Sequence, residues 1–314
     1  MLEIRSFQNA DLPSLADIWC IHHALYRRPP AVSQAVFEQA VASRLFFEPA
    51  RLLVATIGKE TVAWAHWFPG DDKVASLTAL CFRPELRAAA AVNQLLSQVE
   101  SDAFDLGMSA ISVGVHCKSV WGYQGMEPIG HGFGVDVADD RTNTLLEAAG
   151  YQETKRIDHW EAQTAGYRAP VNRDLLMLRR STRIRSEVVT STSVQTAAAM
   201  IHFDIERYLL VDTRTNAPLA SLDLWTSDPE TLVMQVSDAI LGSWSVPGLS
   251  TLEPYNDLAL RYLLTSVISE LTERRIRTVQ RSVETDNIAE ASTLIAANFS
   301  RTSVGRLMSK TFIT

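Results

Sequence analysis

Apolar and polar positions recur with a clear period along most of the chain. Leu2–Ser6 reads as a short, half-apolar strand. Leu12, Leu15, Ile18, Trp19, His22 and Leu25 then recur at helical spacing, and Pro13 sits where a first helical turn tolerates it. Arg27-Arg28-Pro29-Pro30 ends that helix, and Ser33 caps a second one carrying Val36, Phe37, Ala40, Val41 and Phe46. Residues 51–57 and 61–68 are β-rich runs joined at Gly58-Lys59-Glu60, a hairpin signal. Residues 74–82 read as the next strand. Val92, Leu95, Leu96, Val99, Ala103 and Leu106 form one stripe of a long helix, with Gly107 just past its end. Residues 110–116 read as a strand, 121–134 as a glycine-rich loop, 139–149 as a helix closed by Gly150, and 151–162 as a strand.

The second half repeats this order about 160 residues later, by the same periodicity argument. Residues 208–212 and 219–225 form a hairpin around Asn216, and 233–236 and 248–253 read as strands. Leu260, Leu263, Leu264, Val267, Ile268 and Leu271 make a helix stripe. Residues 276–283 read as a strand, 287–297 as a helix and 302–313 as a final strand. The pattern predicts two copies of one α/β unit with a mixed sheet, at 1–178 and 179–314. The second is abbreviated, with room for about one helix between Val188 and Tyr208.

Composition narrows the picture. With 46% apolar and 21% charged residues the chain is neither disordered nor fibrous. Lys and Arg number 29 against 36 Asp and Glu, and neither half is basic, which argues against nucleic acid as a partner. No apolar run approaches membrane-spanning length, and the N-terminus has no signal pattern. Cys20, Cys81 and Cys117 are scattered and form no CxxC pair, which predicts a reduced, cytoplasmic protein without a metal site.

The order of parts, with its local wording, resembles the GNAT acetyltransferase superfamily. IRSFQNADLPSLADIW resembles the usual opening, FRPELRAAAAVNQLL the segment that leads into a pyrophosphate loop and helix, and DDRTNTLLEAAGYQETKR the closing helix. VETDNIAEASTLIAANF resembles an Asn-led version of that last segment. The tandem arrangement is similar to that of mycothiol synthase and other double acetyltransferases. The resemblance implies two acyl-CoA N-acyltransferase domains, acetyl-CoA as cosubstrate and a small-molecule amine as acceptor, and it leaves a homodimer open. It also implies that pantetheine lies along Leu80, Cys81 and Phe82, with the pyrophosphate at Arg87, Ala88, Ala89, Ala90, Ala91 and Val92. Glycines belong in such a loop because backbone N–H groups must reach the phosphates without a Cβ in the way. Here Ala90 and Val92 replace them, and branched Val92 is expected to crowd that approach unless it faces the core. The second copy's loop, residues 255–260, is two residues short and carries Asp257, so that site reads as lost.

Acyl transfer to an amine needs a deprotonated amine, a polarised carbonyl and a protonated leaving thiolate. The family's acid tyrosine falls on Leu146 and Leu294, which donate no proton. His66, His116 and Tyr123 are the remaining catalytic candidates, with His22-His23 read as a packing and solvent pair. Residues 121–134 read as a lid or substrate surface beside the cleft. The leading expectation is an N-acetyltransferase working in the first copy. The alternative is a non-catalytic ligand-binding or scaffold protein that kept the fold.

Overall fold

The computed structural model describes all residues except 28–31, 71, 115–122, 171–172, 192, 229, 232, 248–257 and 313–314. The chain forms two compact units that interleave in sequence. The first holds Met1–Ile157, Ala198–Met200 and Val304–Thr314; the second holds Asp158–Ala197 and Ile201–Ser303.

The first unit opens with β1 (Leu2–Ser6), α1 (Leu12–Ala24) and α2 (Gln34–Phe37), the last running on into a wider turn at Glu38–Ala42. Ser33 caps α2 through its hydroxyl, which accepts from Val36 N–H at 3.2 Å. Next come β2 (Leu52–Ile57), β3 (Glu60–Phe68), β4 (Val74–Phe82), α3 (Leu86–Asp105), β5 (Ala110–Val113), β6 (Val135–Asp136), α4 (Asp140–Ala148) and β7 (Gln152–Gln163). β1 to β4 form an antiparallel meander, and β5 joins β4 in parallel. The expected meander over residues 51–82 is therefore present.

Both faces of β3 are covered. Ala63, Ala65 and Trp67 pack with Val92, Leu95 and Val99 of α3, the small residues letting that helix come close. On the other face Trp64 stacks on Trp19 of α1 at 6.2 Å between ring centroids, with Phe37 of α2 edge-on to Trp64 at 5.4 Å.

The second unit contains α5 (Arg173–Ser181), β8 (Thr182–Val188), α6 (Val194–Ala199), β9 (Phe203–Asp212), β10 (Pro218–Ser227), β11 (Asp238–Ser245), α7 (Leu258–Leu271), β12 (Thr278–Glu284) and α8 (Ile288–Ala296). β8 to β11 are antiparallel, and β12 joins β11 in parallel. The strand expected at 233–236 is absent. That stretch turns, and the strand is β11, whose apolar run Ala239–Leu241 is broken by a bulge at Gly242 that hides its alternation. The strand expected at 248–253 lies outside the described residues.

β13 (Ser300–Thr311) changes unit part-way. Its Gly305–Thr311 stretch pairs with β6 and with β5, from Met308↔Val113 to Thr311↔Ala110, so the first unit's sheet is closed by a segment from the second half of the sequence. Asp158–Gln163 of β7 belongs in turn to the second unit.

Candidate functional site

In the first unit the parallel pair β4 and β5 runs in register from Val74↔Ala110 to Leu77↔Val113 and then parts. Gly114 N–H still donates to Leu77 O at 3.3 Å. β4 carries one extra residue there. Leu77 faces Trp67 and Ala79 faces His66, so Thr78 bulges out of the ladder. Beyond the bulge, Arg83 N–H donates to Val62 O at 2.9 Å. Strand alternation then turns the peptide groups of Cys81 and Ala79 toward β3, and those of Leu80 and Phe82 away from it.

A narrow cleft opens along this edge. Thr78, Leu80 and Val113 line it, with His22 and His23 from α1, Tyr26 just past that helix and Asp139 at the start of α4. Asp139 caps α4 by accepting from Thr142 N–H at 3.2 Å, and its other oxygen lies 3.2 Å from His22 Nε2. Burial pushes the Asp139 carboxyl up, but hydrogen bonds from His22 and Thr142 outweigh that and hold it below its ordinary range. Burial, with His22 and Arg27 nearby, drives His23 well down, so its ring is neutral; its Nδ1 meets the Tyr26 hydroxyl. Burial raises the Tyr26 hydroxyl, with Asp139 and other anionic neighbours adding to it, and keeps it protonated. The Cys81 thiol, 3.8 Å from His23 Nε2, is also pushed up by burial and is a poor nucleophile.

The second unit repeats the plan with a different outcome. β11 and β12 run in register from Asp238↔Thr278 to Ile240↔Gln280, and β11 has its own bulge between Leu241, opposite Leu224, and Trp244, opposite Leu222. Counted from the first pair of each copy, Arg281 takes the place of Val113. Its guanidinium donates to the carbonyls of Leu241, at 3.1 Å, and Gly242. It also lies 3.8 Å over the Trp244 ring and pairs with Glu290 of α8. The strand edge at this bulge, the counterpart of Leu77 and Thr78, is filled from inside.

No family model matches the sequence, and no curated protein is significantly similar to it. The fold has clear counterparts. A tandem GNAT protein from the clavulanic acid biosynthesis pathway superposes at a TM-score of 0.66 with 13% identity, covering 99% of this chain and 98% of that one. A GCN5-related N-acetyltransferase from Sphaerobacter thermophilus gives 0.67 at 13% identity, covering 99% and 95%. A glucosamine N-acetyltransferase region of a fungal multi-domain β-N-acetylglucosaminidase gives 0.71 at 11% identity, covering 99% of this chain and 38% of that one. This chain has a tandem GNAT fold.

The GNAT fold places the candidate residues unevenly. Leu80 lines the first cleft, whereas the Cys81 side chain points to His23. In α3, Ala88, Ala91 and Val92 are buried in the core, while Ala89 is half-buried and Ala90 exposed. Val92 therefore faces the core rather than the loop. Val92→Ala is expected to cost about 1–3 kcal/mol of stability and to leave acetyl-CoA affinity unchanged, read by melting curves beside isothermal titration. The side chain of Arg87, all of His116 and residues 255–257 of the second loop lie outside the described residues.

His66 and Tyr123 do come together, His66 Nδ1 lying 2.9 Å from the Tyr123 hydroxyl, but both are fully buried. Burial, reinforced by Arg51, pushes His66 down to about 3. Tyr123 lies flat against Trp19, with ring centroids 5.7 Å apart. Leu146 and Leu294, which the sequence resemblance set against an acid tyrosine, are buried. What sequence reasoning missed is the pair His22 and Asp139. The signal that could have found it is an aspartate at the start of the 139–149 helix, where a cap is expected, and a histidine within the apolar stripe of α1, where a solvent-facing residue would not sit.

Proposed function

We propose that this tandem GNAT-fold chain is an N-acetyltransferase that takes acetyl-CoA in its first copy and acylates a small amine. The observation that carries the reading is the contrast between the two strand edges. Leu80 turns its peptide groups into a cleft, while in the second copy Arg281 occupies the strand edge at the bulge, at Leu241 and Gly242. An extended chain with amide groups binds such an edge as an added strand would. Among the described residues in the first turns of α3, Ala89 and Ala90 turn outward, and their small side chains suit the approach of a phosphate to the positive end of the helix dipole. The residues present thus fit the cosubstrate at Leu80 and at Ala89–Ala90.

Acetyl-CoA would supply an activated thioester carbonyl. The chain's part is to hold it and to manage protons. The bulged Thr78 lies where the cleft meets the strand, and Tyr26, kept protonated, is a hydrogen-bond donor facing the same space. Two imidazoles line the cleft, His22, tied to Asp139, and the neutral His23. The free thiols Cys20 and Cys81 suit a cytoplasmic setting. No helix among the described residues is long and apolar enough to cross a membrane.

A second reading, a binding protein without catalysis, is favoured by one feature: both positions that the sequence resemblance set against an acid tyrosine are core leucines. Titration with acetyl-CoA separates a dead fold from a ligand-binding one. At 100 times its dissociation constant the ligand should add roughly 2.7 kcal/mol of stability, seen as a higher melting temperature. Thiol release with glucosamine and other primary amines then separates enzyme from binder. No shift at millimolar acetyl-CoA would sink both readings.

A further inference from the structure

The open edge of β4 stops at Phe82, and there a side chain stands where a ligand amide would go. His22 Nδ1 lies 3.3 Å from Phe82 O and 3.4 Å from Phe82 N. Its other nitrogen faces the Asp139 carboxylate at 3.2 Å. A carboxylate only accepts, so Nε2 carries a hydrogen. A neutral ring then has a bare Nδ1 that accepts the Phe82 N–H. A charged ring instead donates from Nδ1 to the Phe82 carbonyl. In either state the imidazole uses a peptide group that points away from β3.

Arg141 packs just beyond the strand end. Its Nη2 donates to Arg83 O at 2.8 Å, and its guanidinium lies 4.4 Å over the Phe82 ring. In the second copy Arg281 bonds the carbonyls of Leu241 and Gly242 at the bulge, the counterparts of Leu77 and Thr78. Each copy thus places a side chain of its own on the strand edge, at a different position.

We propose that His22 is an intramolecular latch on the acyl-CoA site, held by Asp139, which must leave Phe82 before the donor can lie along Leu80–Phe82. The proposal rests on the acetyl-CoA reading of the first copy. A protein whose competent state is a minor fraction binds with affinity reduced by that fraction. Loosening the latch therefore tightens binding, although it removes a contact.

Two variants test this. Asp139→Asn cuts the charged tie but keeps the helix cap, since asparagine caps well and Asn287 does the same for α8, accepting from Glu290 N–H at 3.2 Å. His22→Ala removes the latch itself. Isothermal titration with acetyl-CoA should show affinity higher by about tenfold in both variants, each checked by its melting curve. If His22→Ala does not fold, Asp139→Asn decides alone. A latch that is merely structural predicts lower melting temperatures and unchanged affinity, which would overturn the proposal while the acetyl-CoA reading stands. Weaker binding in both variants would make His22 part of the ligand site and also overturn it. Absence of binding in the parent and in both variants removes the acetyl-CoA reading and the latch together.

Discussion

Gly305→Ala is expected to destabilise the first unit by about 3–5 kcal/mol. Gly305 sits in β13 opposite Asp136, and a Cβ there would lie 1.6 Å from Phe133 O and 2.6 Å from Phe133 C. Those are backbone atoms of a segment that is itself pinned: Gly134 has φ +83, and a Cβ on it would meet Arg306 O at 2.5 Å. The two backbones pass so closely that hydrogen is the only substituent that fits on either side. Neither can retreat without breaking the Gly305↔Asp136 pairing. Gly107 provides the comparison. It has φ +80 with nothing within 4 Å of its would-be Cβ, so Gly107→Ala should cost only about 1–2 kcal/mol from its left-handed backbone. Urea unfolding followed by tryptophan fluorescence measures both. Equal losses would show that the Phe133 contact yields and is not a constraint.

Acidification is expected to destabilise the protein well before its carboxylates titrate. His66 titrates near 3 in the folded chain because burial, with Arg51 beside it, disfavours its charged form. Unfolded histidine titrates near 6.5. As pH falls through 6.5 the unfolded chain takes up a proton that the folded chain refuses, so stability falls. It goes on falling until pH reaches about 3, where the folded form also charges. The slope is about 1.4 kcal/mol per pH unit for each such histidine, or about 2 kcal/mol from His66 between pH 6.5 and 5. His23, also driven down by burial, adds a loss of the same sign. Urea midpoints at pH 7 and pH 5 for the parent and His66→Asn would test it. The variant should lose less on acidification; matching slopes would clear His66 of the effect.

The legible part of the fold is the part set by local period. The meander from β2 to β4, the α3 stripe and the parallel return of β5 all follow from runs whose apolar positions keep one spacing. α2 is shorter than its pattern suggests: Val41 is buried, but the regular turns loosen after Phe37 and Phe46 falls outside the helix. In β11 a bulge at Gly242 breaks the alternation; an added Cβ there would meet Trp225 Nε1 at 2.5 Å, a neighbour only the folded sheet supplies. The site was half legible. The strand edge at Leu80 follows from the order of strands. The roles of His22 and Arg281 do not, because each depends on a partner from a distant segment: Asp139 and Phe82 for one, Leu241 and Glu290 for the other. A sequence gives residue types and spacing, while occupation of a peptide group is decided by tertiary approach.

The exchange of β13 also sets a schedule for folding. The edge of β5 finds its partner at Met308–Thr311, nearly two hundred residues after Val113. A nascent chain that has built β1 to β5 must wait with that edge uncovered while the whole second repeat is synthesised. Exposed strand edges are templates for pairing with other chains, and contacts of such long range form slowly. Severing the chain between its halves would make the wait permanent: the first fragment would lack Val304–Thr311 and the second Asp158–Gln163. Each repeat thus draws part of its sheet from the other half of the sequence, so neither half alone carries all the residues of one compact unit.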